Sequence, residues 1–121
     1  MAGFRKFEDI LAWQKSRQAV KQIYKETVKG DFSKDYDLRG QIRRASISIM
    51  ANIAEGFGRN SDKEFANFLN IAHGSAYEVQ SHLYIALDLN YITQQTFDEI
   101  YTTLEEVCRM LYALRQKLLP T

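Results

Sequence analysis

Ser75, Glu78 and His82 are the residues of this chain whose types and spacing could do chemistry together. A hydroxyl, a carboxylate and an imidazole follow one another at intervals of three and four residues, which places them on one face of a helix. Hydrolysis also needs free donors for the developing oxyanion, and backbone amides in the middle of a helix are already bonded. The pattern therefore favours a simple Glu78–His82 contact, and it predicts no catalytic residue and no enzymatic activity.

Metal and cofactor sites are not expected either. His73 and His82 lie nine residues apart, on opposite sides of a helix, and the chain lacks the Glu-x-x-His pairs of di-iron bundles. The single cysteine, Cys108, has no His or Cys near it in sequence and lies beside apolar positions, which favours an inert buried thiol. Residues 56–59 (GFGR) lack the lysine of a phosphate-binding loop. We expect no metal and no cofactor.

The composition is typical of one soluble domain. The 121 residues are 45% hydrophobic and 26% charged, enough to bury a single core. No signal-peptide core or membrane span is visible, so we expect a cytoplasmic protein without a membrane partner. Residues 1–63 contain 13 Lys or Arg and 8 Asp or Glu, whereas residues 64–121 contain 3 and 7. This asymmetry indicates either a basic binding surface or attraction between antiparallel helices.

Four helices must position these side chains. Apolar residues recur with helical periodicity and predict helices at approximately 8–27, 36–56, 62–89 and 94–118 of a single domain, residues 1–121. In the last of these, apolar residues alternate at intervals of three and four from Phe97 to Leu118, as in bundle packing. Short loops between four helices predict an all-α fold, an up-down-up-down antiparallel four-helix bundle.

The second predicted helix carries two apolar stripes and one polar line, although a solvent-facing helix needs only one apolar stripe. The first stripe is expected to face the core and consists of Leu38, Ile42, Ala45, Ile49 and Ile53. The second is predicted to contact another copy of the chain and consists of Ile47, Met50, Ala54 and Phe57. The polar line is predicted to form a buried hydrogen-bonded network, with a groove for a small ligand or a nucleic acid as the alternative. It consists of Gln41, Arg44, Ser48, Asn52 and Glu55.

Basic residues fall into two groups that could contact the phosphates of a nucleic acid. One is a ridge on the first helix: Lys21, Lys25 and Lys29. The other lies on and after the second helix: Arg39, Arg43, Arg59 and Lys63. His73, Tyr77 and Tyr84 line one face of the third helix and offer surfaces on which bases could stack. Solvated surface and contacts between subunits are the alternative explanations for both basic groups.

Four parts of the chain, spread over nearly its whole length, resemble one known family. Residues 7–14, 41–56 and 89–92, and a pattern within residues 65–78 of the third helix, are similar to the four-helix-bundle proteins encoded by intervening sequences in bacterial 23S rRNA genes. That family is distantly related to the accessory variability determinant of diversity-generating retroelements. Asn90 stands where the family commonly has glycine, and we expect it to adopt the left-handed conformation that ends a helix.

This resemblance implies a homo-oligomer, with a pentamer favoured, that acts as a scaffold in contact with rRNA or an RNA-associated protein. Two alternatives remain. One is a protein-interaction module similar to a retroelement accessory protein that partners a reverse transcriptase. The other is a bundle that binds a small ligand.

Overall fold

The computed structural model describes residues 3–119, which form four α-helices and no β-strand. The helices are α1 (Leu11–Thr27), α2 (Tyr36–Phe57), α3 (Asp62–Asp88) and α4 (Gln94–Leu118). Two short 3-10 turns, Phe7–Asp9 and Gly30–Lys34, precede α1 and α2. Within the described range, no helix combines the length and the apolar character needed to cross a membrane.

Side-chain caps determine where three of the helices begin. Asp35, Ser61 and Thr93 each accept a hydrogen bond from the backbone amide three residues ahead, at 3.0, 3.1 and 3.1 Å. Each cap satisfies one amide that the first helical turn would otherwise leave unpaired. The first helix has no side-chain cap and begins at Leu11 rather than near residue 8, because Phe7–Asp9 form a 3-10 turn.

The turn after α3 depends on one residue in the left-handed conformation. Asn90 has a φ of 61°, as expected for a residue that replaces glycine. The amide of Tyr91 donates to the Ala86 carbonyl at 2.8 Å, and the Asn90 amide donates to the Leu87 carbonyl at 3.0 Å. The Tyr91 hydroxyl then donates to the Asp35 carboxylate at 2.9 Å. Because Asp35 caps α2, this bond joins the end of α3 to the start of α2, as antiparallel packing requires.

The four helices close into a ring in the order α1–α2–α3–α4, since each packs on its sequence neighbours and α1 also packs on α4. This arrangement confirms the predicted all-α antiparallel bundle. The apolar seam of α4 from Phe97 to Leu118 is buried throughout, with no member more than 8% exposed. The core face of α2, from Leu38 to Ile53, is buried as well.

The most extensive helix contact is between α2 and α3, and small residues permit a close approach there. A Cβ on Gly56 would lie 2.6 Å from the Cβ of Phe68, so only glycine fits between the two helices at this point. The hydroxyls of Ser48 and Ser75 lie 2.9 Å apart across the same contact. Gly74 does not take part, because a Cβ there would meet no atom within 4 Å.

Candidate nucleic-acid and subunit interfaces

The candidate catalytic stripe of α3 does not form one site. It consists of Ser75, Glu78 and His82. Ser75 is engaged with Ser48 of α2 at 2.9 Å. The Nε2 atom of His82 lies 3.5 Å from the Glu78 carboxylate, without the geometry of a hydrogen bond. The predicted Glu78–His82 contact is therefore confirmed as a contact between neighbouring turns of one helix. Within residues 3–119, no three His, Cys, Asp or Glu side chains gather closely enough to hold a metal ion.

Cys108 is buried beside the apolar seam of α4, as predicted from its position. Burial raises the pKa of its thiol to about 11, the nearby Glu105 carboxylate adds to the rise, and the Arg109 guanidinium opposes it. Because the thiolate is the reactive form of cysteine, this thiol is protonated and unreactive at neutral pH.

Within one subunit, the polar line of α2 does not form a single buried network. Arg44 and Glu55 are exposed. Asn52 donates to the Ser48 carbonyl at 2.8 Å and to its hydroxyl at 3.0 Å. Gln41, at the start of the line, donates to Asp37 at 2.9 Å. The reason is side-chain length: the short residues fit at the α2–α3 contact, whereas the long charged ones reach solvent at either end of the line.

The four residues of the second apolar stripe of α2 do not share one environment. Ile47 faces solvent with 43% of its surface exposed, and Ala54 is half-buried. Met50 instead lies in the groove between α1 and α2. The ring of Phe57 packs edge-on against Phe65 at 6.1 Å, so it covers the subunit's own core. Only Ile47 and Ala54 of the predicted stripe therefore lie on the outward face of the helix.

That outward face is free of charge over a long stretch. Residues 45–54 contain no Lys, Arg, Asp or Glu. Ile47, Ala51 and Ala54 are its outward members, and Ala51 is exposed. Arg44 and Glu55 bound the stretch at its two ends. We call residues 44–55 of this face the α2 outer face; it is an apolar surface with one charge of each sign at its ends.

Four of the seven basic residues predicted to bind nucleic acid already have partners in the subunit. Lys29 pairs with Glu26 at 2.9 Å, and Arg59 pairs with Glu55 at 3.0 Å. The other two, Arg39 and Arg43, hold the start of α2 in place: Arg39 donates to the Ser33 carbonyl at 2.6 Å, and Arg43 donates to the Thr27 hydroxyl at 2.9 Å. The three arginines also lie over the rings of Tyr36, Tyr24 and Phe68 at 4.4 to 4.7 Å. These contacts favour a structural role for the arginines.

Lys21, Lys25 and Lys63 are exposed and make no ion pair or side-chain hydrogen bond within residues 3–119. Lys21 borders an open groove of about 530 Å³ between α1 and α2. Arg17, which was not among the predicted residues, borders the same groove and is exposed, and its guanidinium lies 5.9 Å from the centroid of the Trp13 ring, farther than in the other three arginines. Its position four residues before Lys21 could have identified it, because that spacing brings it onto the same face. We call Arg17, Lys21 and Lys25 the α1 ridge.

Comparisons with known proteins identify the relatives of this chain. A family profile described as "23S rRNA-intervening sequence protein" matches residues 8–113. Among solved structures, a protein of unknown function from the S23 ribosomal protein family of Bacteroides thetaiotaomicron is similar to this chain. The two sequences are 29% identical, with a TM-score of 0.79 over 88% of this chain and 99% of the other. No protein with a curated function matches.

Proposed function

We propose that this chain, which belongs to the 23S rRNA-intervening sequence protein family, is a non-enzymatic scaffold that assembles with copies of itself and contacts RNA or an RNA-associated protein. The observation that carries the proposal is the α2 outer face, an exposed apolar surface with no charged residue between Arg44 and Glu55. Exposed apolar patches of this kind are typical of interaction sites. The expected number of subunits is five, as the family resemblance implies.

Self-association through the α2 outer face follows from its side chains. Ala51 and Ala54 are small enough for a neighbouring helix to approach closely, and Ile47 adds apolar area to bury. Arg44 and Glu55 lie nearly in line along the helix, eleven residues apart. Glu55 already pairs with Arg59, so the charge that can orient a partner on this face is that of Arg44, which repels other cations.

The assembly is tested with two matched charge insertions. Ile47→Glu places a carboxylate on the α2 outer face, whereas Ile85→Glu places one on the exposed side of α3, where the isoleucine is 44% exposed against 43% for Ile47. Sedimentation at tens of micromolar should show that Ile47→Glu dissociates the assembly and that Ile85→Glu keeps the wild-type mass. Circular dichroism should show that both variants are folded. Ile49→Glu, at a position that is 0% exposed, should instead unfold the subunit.

Two results of this experiment would contradict the assembly. A wild-type protein that sediments as a monomer at this concentration would refute self-association itself. An Ile47→Glu variant with the wild-type mass would show that the subunits associate elsewhere.

The RNA contact is proposed for the α1 ridge and Lys63. Flexible, unpaired lysines and arginines bind phosphates without reading sequence. On α1 they lie on successive turns, so that one backbone strand can meet them in series. An oligomer repeats the ridge in every subunit, and simultaneous contacts raise affinity without any new type of contact.

Filter binding of a single-stranded RNA at several salt concentrations tests this contact. Lys21→Glu with Lys25→Glu should weaken binding, and the slope of log affinity against log salt should become shallower by ~1.4, about 0.7 for each phosphate that the variant no longer neutralises. The control is the double variant Lys6→Glu with Lys34→Glu. It changes the net charge by the same amount as the first double variant, but at positions outside the ridge. Equal effects of the two double variants would show attraction to overall charge rather than binding at the ridge. No retention of RNA at low salt would leave the chain as a scaffold for proteins.

A further inference from the structure

A second groove lies between α3 and α4, on the opposite side of the bundle from the groove between α1 and α2. It has a volume of about 460 Å³ and is lined by His73, Tyr77, Cys108, Arg109 and Tyr112. This volume is within the range of sites that hold small molecules. A smaller hollow of about 230 Å³ adjoins it and shares Tyr77, Cys108 and Arg109 as walls.

Aromatic rings form the walls of this groove. The imidazole of His73 stacks on the ring of Tyr77 with centroids 4.9 Å apart and planes inclined by 24°. Tyr77 is 60% exposed and Tyr112 is 55% exposed, so both rings have area available to a ligand. A planar ligand that continued such a stack would gain the stacking energy that proteins use to hold unpaired bases.

Two polar atoms beside these rings have no partner. The Nε2 atom of His73 and the Nε atom of Arg115 are buried and make no hydrogen bond within residues 3–119. Burial, and secondarily the Arg115 guanidinium, lower the pKa of His73, so its imidazole is neutral at pH 7 and carries one donor and one acceptor nitrogen. Because these two atoms are closed off from solvent, a ligand in the groove meets the imidazole ring of His73 and not the two unpaired nitrogens.

Positive charge is concentrated at the same end of α4. The second half of the chain, residues 64–121, contains only three Lys or Arg, and they are Arg109, Arg115 and Lys117. The carboxylate of Glu105 lies on the smaller hollow, on the other side of Arg109. An anionic group is therefore attracted to the His73 end of the groove and repelled from the Glu105 end.

We propose that the α3–α4 groove binds a nucleobase that carries a phosphate, with the base stacked on Tyr77 and Tyr112 beside the imidazole ring of His73, and the phosphate on Arg109. Both a free mononucleotide and an unpaired base of an RNA strand have this chemistry. The site goes beyond the proposed scaffold function, because a nucleotide could occupy it whether or not the α1 ridge binds RNA.

The test uses the full chain labelled with ¹⁵N and follows the imidazole signals of its two histidines. Adenosine 5′-monophosphate should shift the signals of His73 saturably and leave those of His82 unchanged. Adenosine alone should shift His73 with weaker affinity, because it lacks the phosphate. The comparison with an oligoadenylate of ten residues identifies the source of the base. Tighter binding than the mononucleotide would identify an RNA strand, and equal or weaker binding would identify the free nucleotide.

Three variants assign the contacts. Tyr77→Ala should weaken binding of the mononucleotide about tenfold, the loss expected for one stacking surface. Tyr84→Ala is its control, because Tyr84 lies on the same helix and is 50% exposed but packs on Phe97 at 4.9 Å instead of lining the groove. Arg109→Gln should weaken binding of the mononucleotide but not of adenosine.

Several results would overturn the site. The site is refuted if the His73 signals show no saturable shift with millimolar nucleotide or oligoadenylate. It is also refuted if Tyr77→Ala and Tyr84→Ala lose the same amount of affinity for the mononucleotide. A shift of His73 that depends on protein concentration alone would assign the groove to a second copy of the chain. The RNA contact of the α1 ridge is measured separately by filter binding, so either proposal can fail while the other stands.

Discussion

A pair of glycine-to-alanine substitutions tests how closely α2 and α3 approach each other. In Gly56→Ala the new methyl group would lie 2.6 Å from the Cβ of Phe68 and 3.1 Å from a ring carbon of Phe65. The Cβ of Phe68 cannot rotate away, because it is attached directly to the backbone of α3, so one helix must move. Gly74→Ala makes the same chemical change within α3, where no atom lies within 4 Å of the new methyl.

The magnitudes of the two effects follow from opposing contributions. Either substitution favours the helix by ~1 kcal/mol, since alanine has the higher helix propensity and restricts the unfolded chain. At Gly56 this gain is opposed by overpacking, which costs ~1–3 kcal/mol and here falls in the upper part of that range because backbone must shift. We expect Gly56→Ala to lower the free energy of unfolding by ~1–2 kcal/mol and Gly74→Ala to raise it by ~0.5–1 kcal/mol.

Urea denaturation followed by circular dichroism measures both values. The two midpoints should lie on opposite sides of the wild-type midpoint and differ by about 1 M, given a typical dependence of ~1–3 kcal/mol per molar urea. Protein concentrations must be matched, because any association adds a concentration-dependent contribution to stability. If Gly56→Ala stabilises the protein as much as Gly74→Ala does, the close approach at Gly56 and the reasoning from it are refuted.

Two further predictions concern groups with a raised pKa. At pH 8, iodoacetamide should alkylate Cys108 at least about a hundredfold more slowly in the folded than in the urea-unfolded protein. The reason is that burial raises the pKa of the thiol from 9.0 to about 11, which lowers the fraction of reactive thiolate. Equal rates in the two states would contradict the burial of Cys108. The pKa of Tyr91 is raised above 10.0, first by its hydrogen bond to Asp35 and then by burial and nearby negative charge. A group whose pKa is raised by folding stabilises the fold at pH values below 10, and this contribution is lost as the pH rises through the pKa of the folded state. Tyr91→Phe should therefore be less stable than wild type at pH 7. It should also lose less stability than wild type between pH 9 and 11. Urea denaturation across this range measures the difference, and parallel pH profiles would contradict it.

The fold could be predicted from the sequence because its signals are local and periodic. The α4 seam from Phe97 to Leu118 is buried in full, since its alternating intervals admit one packing face. Ser61 and Thr93 cap the helices that they precede, since a hydroxyl at that position can reach the amide three residues ahead. The start of α1 was misplaced because no capping residue marks it, and the 3-10 turn before it resembles helix in its composition.

The candidate sites were harder to predict because they depend on partners that are distant in sequence. A sequence shows that Arg43 is basic but not that Thr27, sixteen residues away, accepts its hydrogen bond. Arg39 likewise donates to the carbonyl of Ser33, which no pattern of side chains could reveal. Charge alone therefore overestimated the surface available to a nucleic acid. Arg17 was missed for a different reason: its spacing of four residues before Lys21 places it on the same face of α1, and the sequence pattern already contained that signal.

The ring order of the helices determines which of these surfaces can act together. The second helix packs between α1 and α3 and lies diagonally across from α4. Subunits that associate through the α2 outer face would therefore lie nearer to the groove between α1 and α2 than to the α3–α4 groove, which α2 does not border. Arg17 and Lys21 of the α1 ridge border that nearer groove, so an RNA strand on the ridge would pass close to the contact between subunits.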